Sequence, residues 1–196
     1  MPAGRATGAH GAPVRLCGVE PASTPPDVVP ARVVVRDAAA GDATDIRAVA
    51  LAAWRLTYQN RLPPEAIERF LARAYSAERV ALRIRRHRVL VAGRARADDG
   101  GWPVEAFAEL AVHHDHVQLV ALYVIAGLRG NGLGSALLDA VIGAFPGRDL
   151  AADVLEDNDL AEPFYAARGF TPGESHTDEV GGAPVRLRRW WLKANG

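Results

Sequence analysis

Apolar positions recur every three to four residues in the front part of the chain and then alternate in shorter runs, and this change of period divides the sequence into elements. RVVVR (32 to 36) is a short β-branched strand. Gly41 and Asp42 then open a helix, with Asp42 as its N-cap and Ile46, Val49, Ala50, Ala53 and Trp54 at helical spacing. A second helical segment starts at Pro63-Pro64, carries Ile67, Phe70 and Leu71 on one face, and continues to roughly His87. RVLVAGRARA (88 to 97), VEAFAELAVH (104 to 113) and VQLVALYV (117 to 124) predict three strands of an antiparallel meander, separated by the turns DDGGWP and HHDH. Leu133, Leu137, Leu138, Val141, Ile142 and Phe145 form the stripe of a helix that stops at Pro146-Gly147. DLAADVLE (149 to 156) is a further strand, DNDLAEPFYAARGF holds a short helix ending at Gly169, and PVRLRRWWLK closes the chain as a last strand. The order is α/β in content and implies a mixed sheet.

Residues 1–30 are rich in Pro, Gly and Ala and poor in large apolar side chains, which predicts a disordered extension ahead of one domain over 31–196. A chain of 196 residues has room for one such domain with a sizeable core. The single cysteine, Cys17, excludes an internal disulfide framework and a thiolate zinc site, and it lies in the extension. With 23 basic and 23 acidic residues the formal charge is zero, so no global field favours nucleic acid or an anionic membrane. Arg83, Arg85, Arg86 and Arg88 cluster, which predicts a solvated helix face rather than a nucleic-acid patch. The absence of a long apolar run and of a signal-type segment makes the cytoplasm the expected compartment.

Between the meander and the following helix stands LRGNGLGSALL, residues 128 to 138. A strand, a glycine turn and a helix bring backbone N–H groups and the positive helix end to one point, which suits an anion such as phosphate. No lysine follows the last glycine, so the Walker pattern fails, and Ser135 stands where the dinucleotide fingerprint needs its third glycine. A nucleotide-binding regulatory domain therefore recedes.

The spacing Arg129, Gly132, Gly134 resembles the Q/R-x-x-G-x-G/A acyl-CoA signature of the GCN5-related N-acetyltransferase (GNAT) superfamily. The later stretch VLEDNDLAEPFYAARGF resembles that superfamily's V-L-x-x-N-x-x-A-x-x-F-Y-x-x-x-G-F segment, and the likeness spans residues 31 to about 192. The resemblance implies a GNAT fold: a mixed, largely antiparallel sheet of six to seven strands flanked by about four helices. It implies acetyl-CoA as cosubstrate, no metal, and transfer of the acetyl group to a primary amine by direct attack in a ternary complex. A non-catalytic acyl-CoA sensor of the same fold is the alternative.

The same resemblance distributes roles over the residues. The turn from Arg129 through Gly130, Asn131, Gly132, Leu133 and Gly134 to Ser135 would hold the pyrophosphate, and the main chain of Leu122, Tyr123 and Val124 the pantetheine arm. Asn158 would add a contact to that arm or cap the helix after it. Tyr165 would be the general acid, since a phenol with a reference pKa of about 10 is protonated at neutral pH. The glutamate that serves as base in the histone-acetylating branch falls, eleven residues before Arg129, on Gln118, which accepts no proton. Glu109 and His116 become the candidate bases, with His114, Asp153 and Glu156 nearby. Trp54, Tyr58 and Asn60 are the expected liners of the acceptor pocket, for a small-molecule or peptide amine. Three acids in ESHTDE (174 to 179) read as a solvated loop, and consecutive residues in HHDH converge poorly on one metal ion. Trp190 and Trp191 on the last strand offer either a monomer core or a homodimer contact.

Overall fold

The computed structural model describes residues 32–95 and 101–194; the extension of residues 1–30, with Cys17, and positions 96–100 lie outside the described residues. Strand β1 (Arg32–Asp37) leads into helices α1 (Ala43–Tyr58), α2 (Pro64–Ala74) and α3 (Ala77–Arg86). Strands β2 (Arg88–Ala95), β3 (Ala106–Val112) and β4 (His116–Val124) form the meander. Helix α4 (Leu133–Ala144), β5 (Asp149–Leu155), α5 (Ala161–Ala166), β6 (Thr171–Val180) and β7 (Ala183–Leu192) complete the described chain. The seven strands make one sheet in the order β1-β2-β3-β4-β5-β7-β6, in which only β4 and β5 pair in parallel.

Each face of the sheet carries its own core. On one, Leu133, Leu137, Leu138 and Val141 of α4 and Tyr165 of α5 pack on Leu90, Ala108, Leu110, Val117 and Leu119. On the other, Ile46, Val49, Ala50 and Trp54 of α1, with Ile67 and Leu71 of α2 and Val80 of α3, cover Val91, Phe107 and Ala121. The predicted α1 stripe is thus buried, and the fold class read from the sequence is the one observed.

Three sequence expectations change. The helix expected to run on to His87 is broken at Tyr75 (φ −124°, ψ 33°), and Ser76 starts α3 anew by accepting the Arg79 N–H at 3.3 Å. Asp42 does not cap α1 with its side chain; its carboxylate accepts the Ala39 N–H at 2.7 Å and grips Arg36 through bonds of 2.6 and 2.8 Å. Residues 174 to 179 are not a loop but the middle of β6, an edge strand whose side chains are mostly exposed. Exposure on an edge explains why its sequence lacks apolar alternation.

The β6–β7 hairpin docks onto α2. Its turn residue Gly181 has φ 56°, and a Cβ placed there would stand 2.0 Å from the Ala66 carbonyl oxygen. Arg69 Nε clamps the same turn, donating to the Gly181 carbonyl at 2.8 Å. Gly181→Ala should therefore destabilise the protein, combining overpacking of about 1–3 kcal/mol with a left-handed-backbone cost of about 1–2 kcal/mol. Thermal unfolding followed by circular dichroism checks this, at about 2–4 °C per kcal/mol for a domain of this size.

Candidate active site

β4 and β5 pair only from His116 with Asp149 to Leu119 with Ala152. Beyond that point β4 stays with β3 as far as Val124, while β5 stays with β7 as far as Leu155. The separation starts at a bulge: Glu109 pairs with Ala121 and Leu110 with Leu119, so Val120 is an extra residue on β4. The extra residue shifts the alternation, because Leu119 packs in the α4 core and Ala121 in the α1 core. Among the described residues no strand pairs with the β5-facing edge of β4 past Leu119, and its main-chain groups border open space.

That space is a cleft of about 420 Å³. Ala53, Thr57 and Tyr58 at the end of α1 wall one side, Val120 to Val124 form the free strand edge, and Asp153 and Val154 of β5 stand opposite. Arg129, Gly130, Gly132, Leu133, Gly134 and Ser135 close one end, and Asn158, Phe164, Tyr165 and Arg168 come from α5 and its flanks. Leu122, Tyr123, Val124, Tyr58 and most of the turn residues line this one cleft; Asn131 of the turn is exposed and lies outside the lining.

The turn owes its form to backbone geometry. Gly130 and Gly132 both have φ 82°, and a Cβ at either would meet nothing within 4 Å, so conformation rather than crowding calls for glycine. Gly132 is the N-cap of α4, and the Ala136 N–H bonds back to its carbonyl at 2.9 Å. The preceding N–H groups, of Leu133, Gly134 and Ser135, have no intrahelical acceptor and sit at the positive helix end.

Two arginines add charge at this end. Arg129 reaches across to α1, where its Nη2 donates to Thr57 Oγ1 at 2.7 Å. Arg168 was not singled out in the sequence, yet its guanidinium bonds Ser135 Oγ and the Phe164 carbonyl and lies 3.8 Å from the Phe164 ring centroid. The available signal was its place in YAARGF, one turn after the F-Y pair, where a helix returns it to the same side.

Tyr165 is buried, with its ring 5.1 Å from that of Phe170 and 5.2 Å from that of Phe164. Burial pushes its phenol well above the ordinary tyrosine range, reinforced by the neighbouring Tyr58. Burial likewise raises Tyr58, against the opposing pull of Arg61, Arg129 and Asn158. Both hydroxyls are therefore protonated at neutral pH. Asn158 caps α5: its Oδ1 accepts the N–H groups of Leu160 and Ala161, each at 3.2 Å. Asp157 before it has φ 62°, a conformation aspartate tolerates, and this turn aims Asn158 inward.

The candidate bases are placed elsewhere. Glu109 is 2% exposed, but it points with Phe107 toward the α1–α3 side and lines no part of the cleft. Its carboxylate accepts Arg83 Nη1 at 3.1 Å and meets His87 Nδ1 at 2.6 Å, a structural ion pair. Glu109→Ala would leave the partly exposed Arg83 cation without its partner and should cost about 1–3 kcal/mol, read as a lowered urea midpoint at unchanged m. His116 starts β4 at the end away from the glycine turn, stacked on His113 at 4.7 Å, edge-on to Trp191 at 5.3 Å, and bonded to Asp115 at 2.8 Å. Glu156 is held to about 2 by Ser175 first, then Arg186 and Arg188, which makes it a poor proton acceptor. Among the described residues Asp153 is the one carboxylate in the lining; Arg189 binds it through two bonds of 2.9 Å, and Gln118 Nε2 donates to it at 3.3 Å.

Of the other expected liners, Trp54 is buried behind the cleft wall against Phe70 (4.2 Å) and Tyr58 (4.4 Å), and Asn60 is exposed outside it. Trp190 is buried in the α4 core of its own chain. Among the described residues no group of three or more His, Cys, Asp or Glu is placed to hold a metal, and no helix is long and apolar enough to cross a membrane.

Comparison with known proteins bears on this cleft. The sequence model of the Acetyltransferase (GNAT) family matches residues 49–170. A Mycobacterium tuberculosis protein named as a probable N-acetyltransferase is 32% identical over 76 residues, covering 38% of this chain and 44% of that protein, less than half its length. Among solved structures, the PaiA N-acetyltransferase of Thermoplasma acidophilum in complex with coenzyme A superposes with a TM-score of 0.67 at 21% identity, covering 84% of this chain and 99% of that one. A GCN5-related N-acetyltransferase of Rhodopseudomonas palustris gives 0.67 at 21% identity, covering 85% and 98%. Apo YjaB of Escherichia coli gives 0.62 at 19%, covering 84% and 99%. At these identities the structural likeness establishes the fold.

Proposed function

Since this chain belongs to the acetyltransferase (GNAT) family, we propose that it is an acetyl-CoA-dependent N-acetyltransferase whose cleft between β4 and β5 binds the acetyl donor. The observation that carries the proposal is the meeting, in one cleft, of a glycine turn at a helix N-terminus, an unpaired β4 edge and a buried, protonated tyrosine. The turn N–H groups and Arg129 and Arg168 suit the pyrophosphate. The free edge from Val120 to Val124 suits the amides of the pantetheine arm, which would add to β4 as a strand does.

In the proposed reaction the acceptor amine attacks the thioester carbonyl carbon in a ternary complex. The C–N bond forms, the C–S bond breaks with its electron pair on sulfur, and Tyr165 gives its hydroxyl proton to the leaving thiolate. A β4 main-chain N–H would steady the carbonyl oxygen as it gathers charge. The proton leaving the amine has Asp153 at hand, directly or through water; Arg189 holds that carboxylate in place through two hydrogen bonds. No covalent acyl-protein is needed. Tyr58, the expected pocket residue that lines the cleft, would face the acceptor.

Incubation with acetyl-CoA and one representative each of amino acids, peptide N-termini, polyamines and aminoglycosides, with coloured detection of free thiol, tests this reading. Thiol release that depends on one amine class supports it. Calorimetric binding of acetyl-CoA with no release for any amine would favour a binding-only protein.

A further inference from the structure

Away from the cleft, and sharing no lining residue with it, lies a groove of about 1010 Å³ between α2, α3 and the end of β6. Arg69 and Arg73 of α2 and Arg79, Arg83 and Arg86 of α3 all line it, against two carboxylates at its rim, Asp178 and Glu179. Within each helix the arginines stand three or four residues apart, so like charges are stacked along one face, an arrangement that opposes folding unless an anion neutralises it.

Two of the five are anchored. Arg83 Nη1 is tied to the buried Glu109 at 3.1 Å, and its guanidinium lies 4.8 Å from the Tyr75 ring centroid. Arg69 uses Nε on the Gly181 carbonyl and keeps its terminal nitrogens. Arg73, Arg79 and Arg86 are exposed, and none has a carboxylate within 4.0 Å among the described residues. Half-buried Phe70 and Leu82 line the groove between the charges, so an ion bound there is partly withdrawn from water. Planar guanidiniums lining one groove from two helices suit a group bearing several negative charges, because each fork takes two oxygens of one phosphate.

We propose that this groove is a second ligand site, independent of the acyl-CoA cleft, that binds an anion of the di- or triphosphate class. The test is calorimetric titration of sodium tripolyphosphate into the full chain already saturated with coenzyme A, so that the cleft is filled. The site predicts binding of one equivalent that weakens as salt is raised. It also predicts at least tenfold weaker binding to the variant Arg73→Gln, Arg79→Gln, Arg86→Gln, with acetyl-CoA affinity unchanged and a melting temperature, without added anion, no lower than that of the unaltered protein. ATP in place of tripolyphosphate separates the two sources: tighter ATP binding points to a nucleotide, equal binding to the phosphate chain alone, and either supports the site. No binding, unchanged affinity in the triple variant, or tighter binding of an oligoglutamate peptide than of tripolyphosphate would overturn it.

Discussion

Gly132→Glu is expected to abolish acetyl-CoA binding at concentrations that saturate the unaltered protein. Gly132 holds φ 82° at the N-cap of α4, so any side chain there carries the left-handed penalty of about 1–2 kcal/mol. A carboxylate at that point would also face the pyrophosphate, and juxtaposed like charges cost several kcal/mol. The repulsion alone, at roughly 3 kcal/mol or more, is about a hundredfold in Kd at 1.4 kcal/mol per tenfold, while the strain lowers stability with or without ligand. Gly132→Ala separates the parts: it keeps the strain, which the turn carries with or without ligand, and omits the charge, so it should lower the melting temperature while weakening acetyl-CoA binding far less than Gly132→Glu. Calorimetry with acetyl-CoA measures both variants, and Gly41→Ala, at a glycine with nothing within 4 Å and no left-handed backbone, serves as the control.

Tyr165→Phe should lower kcat by about 10²- to 10⁴-fold, the usual worth of a positioned proton donor, while acetyl-CoA affinity stays nearly constant. Phenylalanine fills the same space among Phe164 and Phe170, so the loss would be of the proton and not of packing. Because burial raises this phenol, it keeps its proton beyond the ordinary tyrosine value of about 10. The unaltered protein should accordingly show no fall in kcat from this group as pH rises through the neutral range to about 9. Unchanged turnover in the variant would remove Tyr165 from the mechanism.

Much of the architecture was legible where a sequence signal and a buried face coincide. The stripe Ile46, Val49, Ala50, Ala53 and Trp54 had one physical use, burial against a sheet, and it is used that way. The glycine turn was legible because φ near 82° demands glycine locally, whatever surrounds it. Features set by tertiary placement were not. LVALYV reads as an unbroken strand, and nothing in it marks Val120 as the bulge that opens the cleft. TPGESHTDEV carries no alternation because, as an edge, most of it faces water. Glu109 and His116 had the right chemistry for a base, but one lies on the wrong face of the sheet and the other at the wrong end of β4. Sequence distance from the motif predicted neither placement, whereas Asp153 enters the cleft because β5 leaves β4 one residue earlier, at Ala152.

The divergence of β4 and β5 is proposed to make a site for acetyl transfer to an amine. Its most direct measurement is mass spectrometry of an amine panel incubated with acetyl-CoA and either the unaltered protein or Gly132→Glu. The expected product is an amine heavier by one acetyl group, with an equal amount of free coenzyme A thiol, from the unaltered protein and not from the variant. Acetyl-CoA that binds equally well to both proteins, with no acetylated amine from either, would contradict it.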